Sequence, residues 1–472
     1  MTTAIPPARR IGAMTALALG VLSYGLMQTM LVPAIGVLQQ AMHTGATGAA
    51  WAVLSAPLLA SAILTPLVGR LGDHYGRRRM LLVVLTLYLG ATLVALAAPN
   101  IGVLIAARAG QGISLAVLPL AFGSVPNVLP HDRVHAGLGL LSGLVGGAAG
   151  IALVCGGLIV DHASWRWLFV AGAGLIAVTL VLTYVFVPEG PARATGGFDP
   201  AGTVLLAGGL SGILLALTLG PGSGWFSVPV LATAAAGVAM LAGFLGIERR
   251  LRYPLIDMDL VLHPRVGTAH LAIFVLGTIQ FLYYVLVPKL AELPSAAGGF
   301  GASVTTAGLV MLPATVVILP AGTLAGRLTT RHGPQLPLIS GLLVTASGAA
   351  LLALAHDHLW QLAVCALPIG IGTGLVMTAA PAQLHRTVDT AHAATANGIN
   401  TVARTVGGAL GSQLAAALIV ASVPTGFPTA FWTATVIGIV GAAVTFAGSR
   451  PQSKAASDPT PTSTAKAPAL SE

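Results

Sequence analysis

The sequence predicts an all-α membrane protein with fourteen spanning helices, grouped as two six-helix bundles and an inserted pair. Three observations predict it. Charged residues make up only 7% of the 472, against 56% hydrophobic. Apolar runs long enough to cross a bilayer recur fourteen times. Two stretches of the first half return in the second.

Composition excludes most alternatives. A water-soluble domain carries about 25% charged residues, so a chain this poor in charge cannot cover a surface that faces water. The net charge of +9 would, on a soluble chain, point to nucleic acid. Here the cations sit in short breaks between apolar runs, and no basic stripe lies along a polar helix. Nucleic acid is therefore not expected as a partner. Cys155 and Cys365 both fall inside apolar runs and read as small buried hydrophobes, not as a disulfide or a metal site.

A helix needs about 20 apolar residues to span a bilayer core. Runs of that size begin near residues 11, 50, 80, 100, 134, 165, 201, 226, 266, 303, 335, 359, 394 and 427. The breaks between them hold Gly, Pro, Asp, His or Arg. The runs are too long for strands and lack a period of two. The first follows Arg9-Arg10 and continues to about Leu38, too long for the core of a cleaved signal, so it reads as a retained helix. With the N-terminus in the cytoplasm, eighteen of the 22 Lys and Arg residues fall in inside segments. Only Arg166 and Lys289 fall outside, and Arg108 and Arg404 lie within spans. This asymmetry is the positive-inside pattern. It puts both termini in the cytoplasm, in a multi-pass protein of the cell membrane.

The repeat divides the chain. Gly69-Arg70-Leu71 with Gly76 returns as Gly326-Arg327-Leu328 with Gly333, and Val145-Gly146-Gly147-Ala148-Ala149-Gly150 returns as Val406-Gly407-Gly408-Ala409-Leu410-Gly411. The matches pair the second span with the tenth and the fifth with the thirteenth. Two related halves around a central site are a transporter device. The expected units are a cytoplasmic N-terminus (1–10), a first bundle (11–190), an inserted pair (198–248), a cytoplasmic linker (249–265), a second bundle (266–449) and a disordered tail (450–472).

The motifs narrow the reading. Gly69-Arg70-Leu71-Gly72-Asp73-His74-Tyr75-Gly76-Arg77-Arg78-Arg79 resembles the signature between the second and third helices of the major facilitator superfamily. In that family the motif latches the inner faces of the two halves, which implies a gating role for Gly69, Asp73, Gly76, Arg77 and Arg78. Arg108-Ala109-Gly110-Gln111-Gly112 resembles the fourth-helix motif whose arginine is implicated in proton coupling. Arg108 lies about 12 Å into its helix at 1.5 Å per residue. A cation at that depth costs about 3 kcal/mol or more, so it is expected to face a polar cavity. Asn397-Gly398-Ile399-Asn400-Thr401-Val402-Ala403-Arg404 resembles the thirteenth helix of the fourteen-span drug:proton antiporter branch. Asn397, Asn400 and Arg404 share one helix face, expected to look into the same cavity. The sequence departs from that branch where Ala152-Leu153 replaces a Gly-Pro pair before Gly156-Gly157, and where Tyr24 replaces an Asp.

Further cavity candidates are Tyr24 and Gln28 on one face of the first helix, and Gln280, Tyr283 and Tyr284 in the ninth, with Gln111 beside Arg108. Close helix packing is expected at Gly139, Gly143, Gly147, Gly150, Gly156 and Gly157. All thirteen carboxylates lie in loops, at helix ends or in the tail. An interior lined by cations and amides disfavours a lipophilic cation, because nothing there offsets its charge. A neutral or anionic compound fits better. The resemblance thus implies proton-coupled efflux of small amphipathic drugs or antibiotics by alternating access. Its partners are the substrate, protons and the bilayer, with no cofactor and the chain acting as a monomer. Uptake of another metabolite on the same fold is the rival reading. No lysine follows a glycine and precedes Ser or Thr, as a phosphate-binding loop requires, and no mid-span catalytic set or metal spacing exists, so the chain reads as neither an ATPase nor an enzyme.

Overall fold

In the computed structural model, described over residues 6–130, 133–189, 200–250, 264–387, 393–421 and 426–449, every one of the fourteen apolar runs is a helix. The first half holds Pro7–Thr29, a second helix built of Ala46–Ala50, Trp51–Ser55 and Ala56–Tyr75 in succession, Arg77–Leu96, Ile101–Val128, Val134–His162 and Arg166–Phe186. Pro200–Ser223 and Val228–Glu248 form the inserted pair. The second half holds Pro264–Glu292, Val304–His332, Gln335–Leu354, a twelfth helix of Leu359–Cys365 and Leu367–Thr387, Ala393–Ala421 and Gly426–Ser449. The spans are called first to fourteenth in this order. Helices are the outcome because lipid offers backbone groups no partner, so each segment must satisfy its own. The expected tail, 450–472, and most of the expected linker lie outside the described residues.

One boundary differs from the sequence reading. The apolar run to Leu38 is not a single helix. It stops at Thr29 and resumes as the short helix Ile35–Ala41. Pro33 stands in the break; it has no N–H to give and disfavours a helical residue before it.

The repeat is visible in backbone conformation. Gly76 ends the second helix at φ +99°, and its counterpart Gly333 ends the tenth at φ +85°. Both values suit glycine and strain other residues. The packing is paired in the same way. The fifth helix meets the tenth across the seam between halves, and the thirteenth meets the second, so each seam is the other's equivalent under the repeat. The ninth helix is central, with 89% of its apolar window buried. The eighth is peripheral, with only 17% buried, and shows Leu231, Val238 and Leu245 on its exposed face. An exposed apolar face is a lipid-facing surface.

Small residues bring the halves into backbone contact. A Cβ added at Gly157 would stand 2.6 Å from Thr305 Cα and 2.8 Å from its nitrogen. Gly308 lies against the Leu153 carbonyl, and Gly150 against Thr315 and Leu312. At the end of the bundle away from Pro7, Asp161 seals this seam: its two oxygens accept from Val304 N at 3.0 Å and Thr305 N at 2.7 Å. Beside it Lys289 Nζ donates to Gln39 Oε1 at 2.6 Å, again across the halves. Gly157→Val is therefore expected to destabilise the purified protein by about 1–3 kcal/mol, the usual cost of overpacking. A thermal melt in detergent checks this, with Gly174→Val, where an added Cβ meets nothing within 4 Å, as the control expected to melt like the wild type.

Candidate functional site

Two buried clusters surround the two mid-span arginines. The first is built by Arg108, only 1% exposed. Its Nε donates to the Ala52 carbonyl at 3.0 Å, and Nη2 to the Val53 carbonyl at 2.8 Å. Nη1 donates to Gln111 Oε1 at 2.7 Å and to the Met27 carbonyl at 3.3 Å. Gln111 in turn donates to Thr92 Oγ1 at 2.7 Å. Four helices thus converge on one guanidinium.

The second helix explains why carbonyls are free to receive it. Residues Trp51–Ser55 form a π-helical turn, in which Ala56 N donates to the Trp51 carbonyl five residues back. That register takes the Ala56 N–H away from Ala52. The next donor would be Pro57, which has no N–H. Pro57 is also the fourth residue after Val53, so both carbonyls lose their helical partner to one proline. Arg108 supplies it. The result differs from the sequence reading. Arg108 is enclosed by backbone carbonyls and an amide and does not face an open chamber. A buried cation without a carboxylate partner is held by several dipoles at once, each bond charge-assisted.

The second cluster surrounds Arg404, whose Nη2 donates to Gln280 Oε1 at 3.3 Å while its carbon sits 5.8 Å from the Phe281 ring centre. Gln280 Nε2 lies 3.4 Å from the Tyr284 hydroxyl. Tyr24 of the first helix stands within electrostatic reach of Arg404 across the seam. Two polar atoms of this cluster, Arg404 Nε and Tyr283 Oη, are buried without a partner, and so is Gln28 Nε2 on the first helix. Such orphans are rare in finished interiors. A small hollow lies beside Gln280, Tyr283 and Tyr284, against Thr315, Ile369 and Thr373.

The other predicted residues fall as follows. Asn400 faces His270 of the ninth helix at 3.3 Å, inside its own half, and not a chamber. The reason is close packing: Gly407 lies against the Phe274 carbonyl, Gly411 against that of Thr278, and Gly277 against that of Arg404, which brings the ninth and thirteenth helices into backbone contact. The side chains of Asn397, Asp73 and Arg70 lie outside the described residues, as does the packing at Gly139, Gly143 and Gly147. Gly156 packs against the Met30 carbonyl, whereas Gly69 faces open space. Arg77 donates to the Gly123 carbonyl and Arg78 to that of Tyr184 at 2.7 Å, stacking on the Tyr184 ring. Arg79 pairs loosely with Glu189 at 3.9 Å. Each of these partners belongs to the first half.

Sequence reasoning passed over Ser55, Ser412, Gln413 and Thr218, which form a buried polar chain between the second, thirteenth and seventh helices. Gln413, an amide inside an apolar span, was the one signal that pointed there.

The Major Facilitator Superfamily model matches residues 17–255 and 269–471. The chain belongs to the major facilitator superfamily. It is thus a multi-span membrane carrier of small molecules and not an enzyme. Among superfamily relatives, the puromycin resistance protein pur8 of Streptomyces alboniger is 32% identical over 392 residues, covering 79% of this chain and 75% of its own length. The tetracenomycin C resistance and export protein of Streptomyces glaucescens is 27% identical over 407 residues, covering 83% and 73%. The solved structure of a mutant of the nucleoside transporter NupG superposes with a TM-score of 0.67 at 12% identity, covering 93% of this chain and all of that one. At that identity the likeness shows the shared fold alone.

Proposed function

We propose that this chain exports small amphipathic drugs or antibiotics, neutral or anionic ones before cations, in exchange for protons and by alternating access. One observation carries the reading: a cationic, under-satisfied cluster stands at Arg404, Gln280 and Tyr283 of the second half, with Tyr24 of the first half within electrostatic reach of Arg404. An anion or a neutral acceptor there relieves Arg404 Nε, and the tyrosine and amide offer further donors. A lipophilic cation finds no carboxylate to offset its charge. The names of the relatives support export: one is named for puromycin resistance, the other for tetracenomycin C resistance and export.

In this reading the six-helix halves rock about the paired seams while the inserted pair rides at the periphery. Both termini face the cytoplasm, in keeping with the cation distribution. Arg108 and the gating-motif residues Gly69, Asp73, Gly76, Arg77 and Arg78 take part in coupling and closure. The chain works as a single copy.

Everted membrane vesicles test it. With an imposed gradient, acid inside, accumulation of tetracenomycin C is expected to rise several-fold over vesicles lacking the protein, and to collapse on adding a protonophore. Accumulation that ignores the gradient, or runs only outward from such vesicles, supports a facilitator or an uptake carrier and ends the exporter reading.

A further inference from the structure

The π-turn at Trp51–Ser55 touches more than Arg108. Its first residue, Trp51, donates from Nε1 to Thr218 Oγ1 at 2.6 Å, on the inserted seventh helix. Its last, Ser55, lies 2.7 Å from Ser412 Oγ and accepts from Gln413 Nε2 at 2.8 Å, both on the thirteenth helix of the opposite half. Gln413 Oε1 completes the chain 3.2 Å from Thr218 Oγ1. Ser55, Ser412 and Gln413 have no exposed surface at all. Between Trp51 and Ser55 stand Ala52 and Val53, whose carbonyls Arg108 holds. One five-residue turn therefore carries three sets of contacts: to the buried arginine of its own half, to the other half, and to the inserted pair.

We propose that this π-turn is the joint that couples Arg108 to the seam between the second and thirteenth helices, with Ser55 and Gln413 as positioning residues that read its setting. The inference rests on the alternating-access reading above. Its logic is geometric. With Arg108 in place the turn keeps its extra residue, because the carbonyls that Pro57 abandons have a donor. That register aims the Ser55 hydroxyl across the seam at Ser412 and Gln413. Without the guanidinium, two buried carbonyls have no donor and the turn relaxes toward another register. A change of one residue in helical register rotates a side chain by about 100°, which carries Ser55 off the seam. The Gln413 amide then loses its acceptor, and Thr218 loses its shared partner. The seam opens as a unit, not bond by bond.

The deciding measurement reads conformation and needs no substrate. Nitroxide labels at Ala163→Cys and Ala297→Cys, both exposed on the end closed by Asp161, report the separation of the halves. Cys155→Ser and Cys365→Ser remove the native thiols, and electron–electron distance distributions are recorded in nanodiscs. The parent is expected to show mainly the short distance. Arg108→Gln, Ser55→Ala and Gln413→Leu are each expected to raise the long-distance fraction at least threefold, and Arg108→Gln with Gln413→Leu to raise it no further than the larger single change. Pro57→Ala restores an N–H to the abandoned carbonyls and favours a regular helix, so it removes the π-turn without a folding penalty; it is expected to shift the distances as Arg108→Gln does. Additive effects of the two single changes, or a Pro57→Ala protein with the parent's distances, overturn the joint. Proton-driven flux in the parent is measured beside the distances: normal flux with additive shifts sinks the joint alone, while no flux sinks the exporter reading and leaves the distances to judge the joint.

Discussion

Arg108→Ala is expected to reduce proton-driven flux to the background of empty vesicles while the protein still inserts and folds as fourteen helices. The guanidinium supplies donors to the carbonyls of Ala52, Val53 and Met27 and to Gln111. Its removal leaves at least two buried carbonyls unsatisfied, at about 1–3 kcal/mol each. Insertion pulls the other way: removing a mid-span cation eases membrane partition by about 3 kcal/mol. The two nearly offset, so yield and helical content by circular dichroism should stay near those of the wild type. What is lost is the setting of the second helix at the seam. Normal flux in this variant would remove Arg108 from the mechanism.

The second large effect is expected at Arg404. Arg404→Gln should weaken binding of an anionic or neutral substrate by about tenfold to a hundredfold, the equivalent of one charge-assisted hydrogen bond at about 1.5–3 kcal/mol. Binding of a cationic compound of the same size should hold or tighten, because the nearest like charge has gone. Fluorescence titration of the purified protein checks both arms. Gln280→Leu removes the Nη2 partner of Arg404 and should lower affinity in the same direction by a smaller factor, since the charge stays.

Much of the fold was legible because the bilayer leaves so little choice. All fourteen apolar runs became helices, since no other open structure satisfies its backbone in hydrocarbon. Glycines read as a repeat, Gly76 and Gly333, hold equivalent backbone conformations. Legibility failed where the outcome depends on what stands opposite in space. Pro33 is plain in the sequence, yet the run around it looked continuous because hydropathy does not register a missing N–H. Pro57 is equally plain, but that its two abandoned carbonyls would meet Arg108 from the fourth helix is a fact of the third dimension. Polar surroundings for Arg108 are legible in the same way, but that they are the carbonyls of Met27, Ala52 and Val53 is not. Periodicity puts Asn400 on a face but cannot say which neighbour that face meets; Gly277, Gly407 and Gly411 give it to the ninth helix. Ser55, Ser412 and Thr218 were illegible because hydroxyls inside apolar helices usually bond their own backbone, and only pairing across helices distinguishes these.

The proposed neutral-or-anionic selectivity rests on a single electrostatic circumstance, an interior with cations and amides whose carboxylates, among the described residues, stand at helix ends or in the connections between helices. The most direct measurement is the affinity of the purified protein for three compounds of matched size and apolarity, one anionic, one neutral and one a permanent cation. The account predicts that the anion and the neutral compound bind at least tenfold more tightly than the cation, and that Arg404→Gln narrows the difference. A cation bound tightest by the wild type, with an order unchanged in Arg404→Gln, would contradict it.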